Sequence, residues 1–132
     1  MFRASSSSMN NLFKKLGTGQ VGKTAEDFAK EYFIKMGYKI LTQNFRSRYG
    51  EIDLIVQKKQ GITFVEVKFR SSFDFGLPQE FVIKRKQAKI RKTATKYLVE
   101  KNLWNKVDCH FDVISVYEEK GKLALEHIKD AF

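Results

Sequence analysis

Two acids and one lysine fall close together in this 132-residue chain, at Asp53 and in the run Glu66-Val67-Lys68 that follows thirteen residues later. Carboxylate oxygens bind hard divalent cations, and an amine beside them can orient a water molecule or take its proton. These residue types therefore suit metal-assisted hydrolysis of a phosphodiester. That chemistry requires the chain to bring the three side chains to one point.

The segments that carry these residues are predicted to pair as a β-hairpin. Residues 51–56 and 62–69 are strand-like apolar runs, and the polar stretch 58–61 separates them. A two-residue turn in the middle of that stretch, or a loop over all four of its residues, gives the same pairing register. Asp53 then lies opposite Glu66, with Cβ atoms about 4.5–5.5 Å apart, close enough for both carboxylates to bind one cation.

Two opposed carboxylates repel each other unless a positive charge lies between them. Lys68 lies on the same face of the strand as Glu66 and could supply that charge, as could a bound metal. An all-oxygen site completed by water suits Mg²⁺ or Mn²⁺, whereas Cys109 and the two histidines lack zinc-site spacing. A ladder of surface salt bridges on the solvated side of a sheet explains the same residues, so both interpretations stay open.

A helix is predicted upstream of the hairpin. Thr24 and Asp27 are spaced as a capping box, and Gly37 is typical of a helix C-terminus. The apolar stripe of this helix consists of Ala25, Phe28, Ala29, Tyr32, Phe33 and Met36. Glu26 lies about 20° around the helix from Phe33 and hence at the edge of the stripe, where its carboxylate is either held near the core or reaches water.

Residues 17–24 also satisfy the phosphate-binding loop pattern of glycine, four residues, glycine, lysine and threonine. A loop of that kind follows a buried strand, yet residues 5–15 are polar and rich in serine. A nucleotide hydrolase built on Lys23 and Thr24 is therefore the least favoured functional interpretation.

Seven basic residues and no acid lie between Phe81 and Val99, in a chain whose net charge is +10. Ile83, Ile90, Ala94, Tyr97 and Leu98 predict that this segment is a helix with one buried face. A basic face suits a polyphosphate partner, although a solvated helix of an ordinary basic protein is the alternative. The candidate nucleic-acid contacts are Lys84, Arg85, Lys86, Lys89, Arg91 and Lys92. The absence of a stacking motif of the RNA-recognition type favours DNA over RNA.

These motifs form part of a wider pattern over about residues 17–117. Its elements are Gly22-Lys-Thr-Ala-Glu26, Gly37-Tyr38, Asn44-Phe45, Gly50-Glu-Ile-Asp-Leu-Ile55, Phe64-Val-Glu-Val-Lys68, Phe75-Gly76, Lys86, Ala94, Tyr97-Leu98 and Phe111-Asp-Val113. The pattern resembles the YraN family of predicted endonucleases, within the PD-(D/E)XK nuclease superfamily, and is similar in layout to archaeal Holliday-junction resolvases. The proline that names the superfamily is absent, because Ile52 precedes Asp53.

The resemblance implies a metal-dependent DNA endonuclease that hydrolyses phosphodiester bonds, with branched or structured DNA as a candidate substrate. Asp53, Glu66 and the Val67 carbonyl would hold Mg²⁺ or Mn²⁺. Glu26 would be a direct or supporting ligand, and Lys68 would orient or deprotonate water. The alternative is a nucleic-acid-binding protein on a nuclease fold with little or no turnover, because a fold does not establish an activity.

The predicted architecture is α+β, with an α/β-like mixed β-sheet flanked by helices in the order αβββαββ. Residues 109–117 and 122–128 supply the last two strands. The resemblance implies a single restriction-endonuclease-like domain over residues 17–132. Residues 1–16 include a serine run without hydrophobic periodicity and are predicted to be a flexible N-terminal segment.

The cellular context is predicted from what the sequence contains. One cysteine, Cys109, allows no internal disulfide, which favours the reducing cytoplasm. No apolar stretch predicts a signal sequence or a membrane span, so no membrane partner is expected. The sequence does not determine whether the protein acts as a monomer or as a homodimer.

Overall fold

The fold is described from a computed structural model, which covers residues 2–3, 18–70 and 84–132. Its elements are β1 (Phe2–Arg3), α1 (Thr18–Lys35), β2 (Lys39–Ser47), β3 (Gly50–Lys58), β4 (Gly61–Arg70), α2 (Lys84–Glu100), β5 (Asp108–Glu119) and β6 (Lys122–Ile128). From α1 onward the order is αβββαββ, which confirms the predicted fold class. The predicted positions Gly17, Phe75-Gly76 and Ile83 lie outside the described residues.

The strands form one mixed sheet in the order β1-β6-β5-β4-β3-β2. Neighbouring strands are antiparallel except β4 and β5, which are parallel and have α2 between them in the chain. Each helix packs with its own core cluster. Val65 of β4 is buried with residues of α1, whereas Phe64 beside it is buried with residues of α2. Because adjacent strand residues point to opposite faces, one helix covers each face of the sheet.

Helix α1 confirms most of the predicted stripe but not its predicted beginning. The helix starts at Thr18, so Thr24 lies inside it and the predicted capping box is wrong. The predicted end is confirmed: Gly37 has φ 90°, and the Tyr38 amide donates to the Phe33 carbonyl at 2.9 Å. The apolar stripe is buried except for Met36, which is 49% exposed and was predicted wrongly.

The phosphate-loop interpretation is incompatible with α1. Lys23 and Thr24 lie within the helix, and the Thr24 side chain is buried. From Gly22 onward the backbone amides bond to carbonyls four residues earlier, so they cannot turn together toward a phosphate. We therefore set aside a nucleotide hydrolase built on Lys23 and Thr24.

The hairpin of β3 and β4 has the predicted register. Pairing runs from Lys58 opposite Gly61 to Leu54 opposite Val65, around a two-residue turn in which Lys59 has φ 56°. Of the two loop lengths that the sequence allowed, the shorter is correct. The next pair in this register would be Asp53 and Glu66, and the ladder ends just before it.

A buried chain of polar side chains ties α1 to the sheet. His127 of β6 contacts the Tyr32 hydroxyl through Nδ1 at 2.7 Å and Asp112 Oδ2 through Nε2 at 2.6 Å. Because an ionised Asp112 only accepts hydrogen bonds, Nε2 carries the proton and Nδ1 accepts from Tyr32. Asp112 Oδ1 also accepts the Asp130 amide at 2.9 Å. The chain thus joins α1, β5 and β6, and hydrogen bonds reach both oxygens of the buried Asp112 carboxyl group.

Strand β1 and the β5–β6 turn complete the sheet. Phe2 and Arg3 pair with Leu125 and Ala124 at the edge of the sheet. A two-residue turn at Lys120–Gly121 joins β5 to β6. Neither described helix combines the length and the apolar character that crossing a lipid bilayer demands.

Candidate active site

Asp53 lies where the regular pairing of β3 is interrupted. The ladder with β2 skips Asn44 and Asp53, and Asn44 has φ 52°. Leu54 belongs to the core on the α1 side, yet Ile52, two residues away, belongs to the core on the α2 side. Since residues two apart in a regular strand share a face, the backbone turns over at Asp53. This turn directs the carboxylate away from both core clusters.

The Asp53 carboxylate takes the place of the missing ladder bond. The Val67 amide of β4 donates to Asp53 Oδ2 at 2.7 Å. Burial, together with the charges of Glu66 and Glu26, raises the pKa of Asp53 to about 8. In the absence of a cation this acid is therefore mostly protonated at neutral pH.

Glu66 is a buried carboxylate with two lysines on one oxygen. Its side chain is 6% exposed, and Oε1 accepts Lys86 Nζ at 2.5 Å and lies 3.2 Å from Lys68 Nζ. Burial and the neighbouring Lys86 lower the pKa of Lys68. Burial also opposes the charge of Lys86, but its hydrogen bonds to Glu66 and Lys68 outweigh burial and raise the pKa of Lys86. Lys68 is thus the lysine that gives up a proton more readily.

Glu26 joins the cluster from α1. It shares a side-chain hydrogen bond with Asp53, and burial is the main cause that raises the pKa of Glu26. With its amide nitrogen facing the acids, Asn44 donates to Glu26 Oε2 at 3.1 Å and to Glu51 Oε1 at 2.7 Å. The structure therefore brings Glu26, Asp53, Glu66 and Lys68 together, as the sequence predicted.

Ser115 places a hydroxyl next to this cluster. In the parallel ladder between β4 and β5, Ser115 pairs with Lys68, so both side chains point to the same side of the sheet. Ser115 is fully buried, and its Oγ has no hydrogen-bond partner within the described part of the chain. A buried hydroxyl of this kind usually bonds to water or a ligand.

The donor atoms of the cluster fit a hard divalent cation, because all of them are carboxylate oxygens. Burial raises the pKa values of Asp53 and Glu26 because it disfavours their ionised forms. A cation bound between the two acids would stabilise those ionised forms. As the side chains stand, the described residues contain no group of three or more His, Cys, Asp or Glu placed to hold a metal ion. Lys68 and Lys86 contact Glu66 Oε1 and supply the positive charge that a bound metal ion would provide. The Val67 contact to Asp53 is made by the amide, and a role for its carbonyl stays a prediction.

The predicted buried face of α2 is confirmed by Ile90, Ala94, Tyr97 and Leu98. The predicted nucleic-acid contacts on this helix divide into two groups. Arg85, Lys89 and Lys92 are exposed along one side of the helix, and Lys84 is exposed at its first residue. Lys86 instead binds Glu66, and the Arg91 guanidinium lies 4.8 Å from the Phe111 ring centre and 5.6 Å from that of Phe132.

Several residues of the cluster were not found from the sequence. Asn44 and Glu51 belong to the acid network, and Lys86 belongs to the Glu66 site rather than to an outward basic face. Glu51 carried a signal, because it is two residues from Asp53 in the same strand. Asn44 and Lys86 belong to the family pattern, but that pattern does not say what they contact, since their positions depend on how β2 and α2 pack against β3 and β4.

The protein is of the α+β class, with a mixed sheet and one helix on each face. An acid–lysine cluster lies where β3 and β4 separate. The chain belongs to the family described as uncharacterised protein family UPF0102, whose model matches residues 25–116. This result confirms the resemblance to the YraN family at the level of the family.

Curated relatives match almost the whole chain. A UPF0102 protein of Caldanaerobacter subterraneus subsp. tengcongensis is 47% identical over 122 residues, which cover 90% of this chain and 99% of that protein. A UPF0102 protein of Trichlorobacter lovleyi is 45% identical over 118 residues, with 88% and 92% covered. Among solved structures, Pyrococcus furiosus SfsA in complex with Ca²⁺ is 13% identical, with a TM-score of 0.32 over 82% of this chain and 62% of that one.

Proposed function

We propose that this protein is a metal-dependent nuclease of the PD-(D/E)XK type that hydrolyses phosphodiester bonds in DNA. The observation that carries the proposal is the meeting of Glu26, Asp53 and Glu66 beside Lys68, with the pKa of Asp53 raised to about 8. Buried acids of like charge that are held together are a common arrangement for binding a catalytic cation. The basic side of α2 adjoins this cluster through Lys86.

Mg²⁺ or Mn²⁺ would be held by Asp53, Glu66 and the Val67 carbonyl, with Glu26 as a direct or water-mediated ligand. When bound, the metal lowers the pKa of water and neutralises charge that develops on the phosphate. Glu66 has an oxygen outside the contacts already described, Oε2, because both lysines contact Oε1.

Lys68 and Lys86 would have different roles in the reaction. Lys68, whose pKa is lowered, orients the attacking water and, in its neutral form, accepts the water proton. The water oxygen forms a bond to phosphorus, the bond to the leaving oxygen breaks, and that oxygen takes up a proton. Lys86, whose pKa is raised, stays positively charged and faces the negative charge that grows on the phosphate oxygens.

A nucleic-acid-binding protein without turnover is the second candidate, and the contacts of Glu66 favour it. Lys86 and Lys68 at 2.5 Å and 3.2 Å already give Glu66 Oε1 the positive charge that a metal would otherwise supply. In this case the acid–lysine cluster is structural. The protein would then bind DNA in a salt-sensitive manner and would not cleave it with any divalent metal.

A cleavage assay tests the nuclease proposal. Branched, flapped and linear DNA are incubated with the purified protein and Mn²⁺, and the products are separated on denaturing gels. We expect the wild-type protein to cleave at least one substrate, and Asp53→Ala and Lys68→Ala to reduce the rate about 100-fold or more. The matched control is Asp27→Asn, because Asp27 is an exposed acid on the same helix as Glu26. Cleavage that survives in both site variants contradicts the assignment.

Thermal unfolding with and without Mn²⁺ separates the two candidates. A ligand that binds only the folded state raises its melting temperature. For the nuclease we expect Mn²⁺ to raise the melting temperature of the wild-type protein and of Asp27→Asn, but not that of Asp53→Asn. DNA binding without any Mn²⁺ effect and without cleavage would favour the binding protein.

A further inference from the structure

Two neighbouring cavities lie between the β2–β3 turn and the exposed side of α2. One cavity has a volume of about 630 Å³, and its lining includes Arg48, Tyr49, Lys92, Lys96 and Val99. The second cavity, about 470 Å³, is lined by Tyr49 again and includes Arg85, Lys86 and Lys89. Tyr49 lines both cavities, so they adjoin at its ring, and we name the two together the α2 groove.

One end of the α2 groove opens at the acid cluster. Lys86 lines the groove and donates to Glu66 Oε1. Glu51 also lines it and is joined to Glu26 through Asn44. A chain lying in the groove is therefore next to residues that contact the carboxylates of the cluster.

We propose that the α2 groove binds a single-stranded segment of nucleic acid next to the bond that the acid cluster cleaves. This inference rests on the proposed function for the identity of the partner and adds the form of the substrate. A free strand, a flap or a junction arm with unpaired nucleotides would supply such a segment.

The charge of the groove suits a phosphate backbone. Five cations line it in addition to Lys86, namely Arg48, Arg85, Lys89, Lys92 and Lys96. Two acids also line it, but Glu100 lies 3.8 Å from Lys96, and Glu51 accepts a hydrogen bond from Asn44 and pairs with Arg46 at 3.5 Å. The groove thus keeps an excess of positive charge.

An aromatic ring, that of Tyr49, lies among the basic residues of the groove. The Arg48 guanidinium lies 4.9 Å and the Lys92 ammonium 5.4 Å from the centre of the Tyr49 ring, and Arg48 donates to the Tyr49 hydroxyl at 2.7 Å. Val99, 59% exposed, lines the same part. Bases stack on aromatic rings while lysine and arginine bind the adjacent phosphates, which is the usual division in single-strand sites.

This division favours a single strand over a duplex. In a duplex the base faces are stacked inside, so only phosphates and groove edges reach a protein surface. A duplex would therefore offer no exposed base face for the Tyr49 ring or Val99 to contact. An unpaired base can enter the groove, stack on Tyr49 in place of Lys92 and leave that lysine to a phosphate.

The length of the groove sets the number of nucleotides. From Lys86 to Lys96 the helix rises about 15 Å at about 1.5 Å per residue. A stacked strand advances about 3.4 Å per nucleotide, so the groove holds about four nucleotides. Single-strand sites of other folds begin at about this size.

The test measures binding in EDTA, so that cleavage plays no part. Fluorescence anisotropy compares a labelled 12-nucleotide single strand with the same strand in a duplex. We expect Tyr49→Ala to weaken single-strand binding about 10-fold and duplex binding less than about 2-fold, because one stacking contact is lost. Tyr49→Phe keeps the ring and should bind within about 2-fold of the wild type. Affinity should rise with strand length up to about four nucleotides and only slowly beyond.

Two control variants show whether the effect belongs to the groove. Trp104 is 55% exposed but does not line the groove, so Trp104→Ala should leave single-strand binding unchanged. Lys84 is exposed on the same helix outside the groove, so Lys84→Ala should weaken binding less than Lys92→Ala. Equal losses for Tyr49→Ala and Trp104→Ala, or equal effects of Tyr49→Ala on single strand and duplex, overturn the inference.

The inference and the proposed function fail in different ways. Single-strand binding that depends on Tyr49, without cleavage under Mn²⁺, supports the groove and contradicts the nuclease. Cleavage that depends on Asp53 and Lys68, with single-strand binding that is indifferent to Tyr49, supports the nuclease and contradicts the groove.

Discussion

The acids and lysines of the candidate site contact one another, so each charge affects the others. Glu66 Oε1 is bound by two lysines, whereas among the described residues Asp53 bonds to the Val67 amide and the side chain of Glu26. Burial, together with the nearby charges of Glu66 and Glu26, raises the pKa of Asp53 to about 8. Asp53 is therefore the residue at which pH and cations act most strongly.

Asp53 makes the folded protein less stable as the pH rises. Its pKa is about 8 in the folded protein, against 3.8 without the fold. Between these values the folded state binds the extra proton, so its stability falls with rising pH and the loss is complete above about pH 8. Asp53→Asn removes the ionisation and keeps an acceptor for the Val67 amide. We expect this variant to be more stable than the wild type at pH 8 by on the order of 5 kcal/mol, and about equally stable at pH 4.

Urea unfolding at pH 4, 6 and 8 in EDTA measures this difference. Asp27→Asn is the control, because Asp27 is exposed on α1, and its stability should follow that of the wild type at all three values. A lower stability of Asp53→Asn than of the wild type at pH 8 would show that the carboxylate is not strained.

At the residue scale, sequence reasoning found the acids but not their partners. The turn length placed Asp53 opposite Glu66, and helical spacing placed Glu26 near the same point, because both depend only on local periodicity. Lys86 was interpreted as an outward phosphate contact, although it points to Glu66. Its direction depends on how α2 packs on the sheet, and no local pattern contains that information.

The elements are held by two kinds of feature, backbone conformation at the end of α1 and buried hydrogen bonds along it. Gly37 has φ 90°, which ends the helix, whereas Gly22 lies inside the helix with no atom within 4 Å of an added Cβ. Tyr32, His127 and Asp112 fix the same helix to β5 and β6. Together they hold Glu26 at the site.

The two glycines of α1 should respond to alanine with opposite signs. Gly37→Ala places a Cβ in the left-handed region and should reduce the free energy of unfolding by about 1–2 kcal/mol. Gly22→Ala improves helix propensity and should increase the free energy of unfolding by about 0.5–1 kcal/mol. Urea denaturation of both variants measures the pair. A destabilised Gly22→Ala would mean that this segment is not helical in solution.

Loss of the Tyr32 hydroxyl should weaken the attachment of α1. In Tyr32→Phe the buried Nδ1 of His127 loses its donor, so the free energy of unfolding should fall by about 1–2 kcal/mol. Tyr38→Phe is the matched control, because Tyr38 is only partly buried against the same core, and it should change stability by less than about 0.5 kcal/mol. Equal changes in the two variants, measured by urea denaturation, would contradict a structural role for the chain.

At the element scale, the hydrophobic pattern predicted both helices and the strands β3 to β6, and β2 came from the family resemblance. The pattern misplaced the start of α1. The capping box at Thr24 was a reasonable local signal, yet the helix continues back to Thr18 and Thr24 is buried within it. Capping patterns occur by chance inside helices, and burial against the sheet decides which one is used.

The molecule as a whole separates its charges. The excess of basic residues lies along the α2 groove, and the central acids lie at one end of it. A polyanion that enters the groove therefore meets cations first and carboxylates last. This arrangement suits capture by long-range attraction before any contact with the acids.

Binding of a single strand should be strongly sensitive to salt. If about five phosphates are neutralised, raising the salt concentration from 50 to 200 mM should weaken binding about 100-fold. Replacing both Lys92 and Lys96 with alanine should make the slope of log affinity against log salt less negative by about 1.4. The control is alanine at Lys39 and Lys122, which are exposed and line neither part of the groove. Anisotropy titrations at several salt concentrations decide between a lost contact and a general loss of charge.

The two-residue turn at Lys59–Gln60 has a consequence for how this chain can change in length. One residue added or removed there would slip the pairing by one, and every side chain of one strand would move to the other face of the sheet. Asp53 and Glu66 would then point to opposite helices. A change of one residue at the Lys120–Gly121 turn would instead move His127 away from Asp112 and leave the pairing of β3 with β4 as it is. Insertions and deletions among relatives should therefore avoid the Lys59–Gln60 turn.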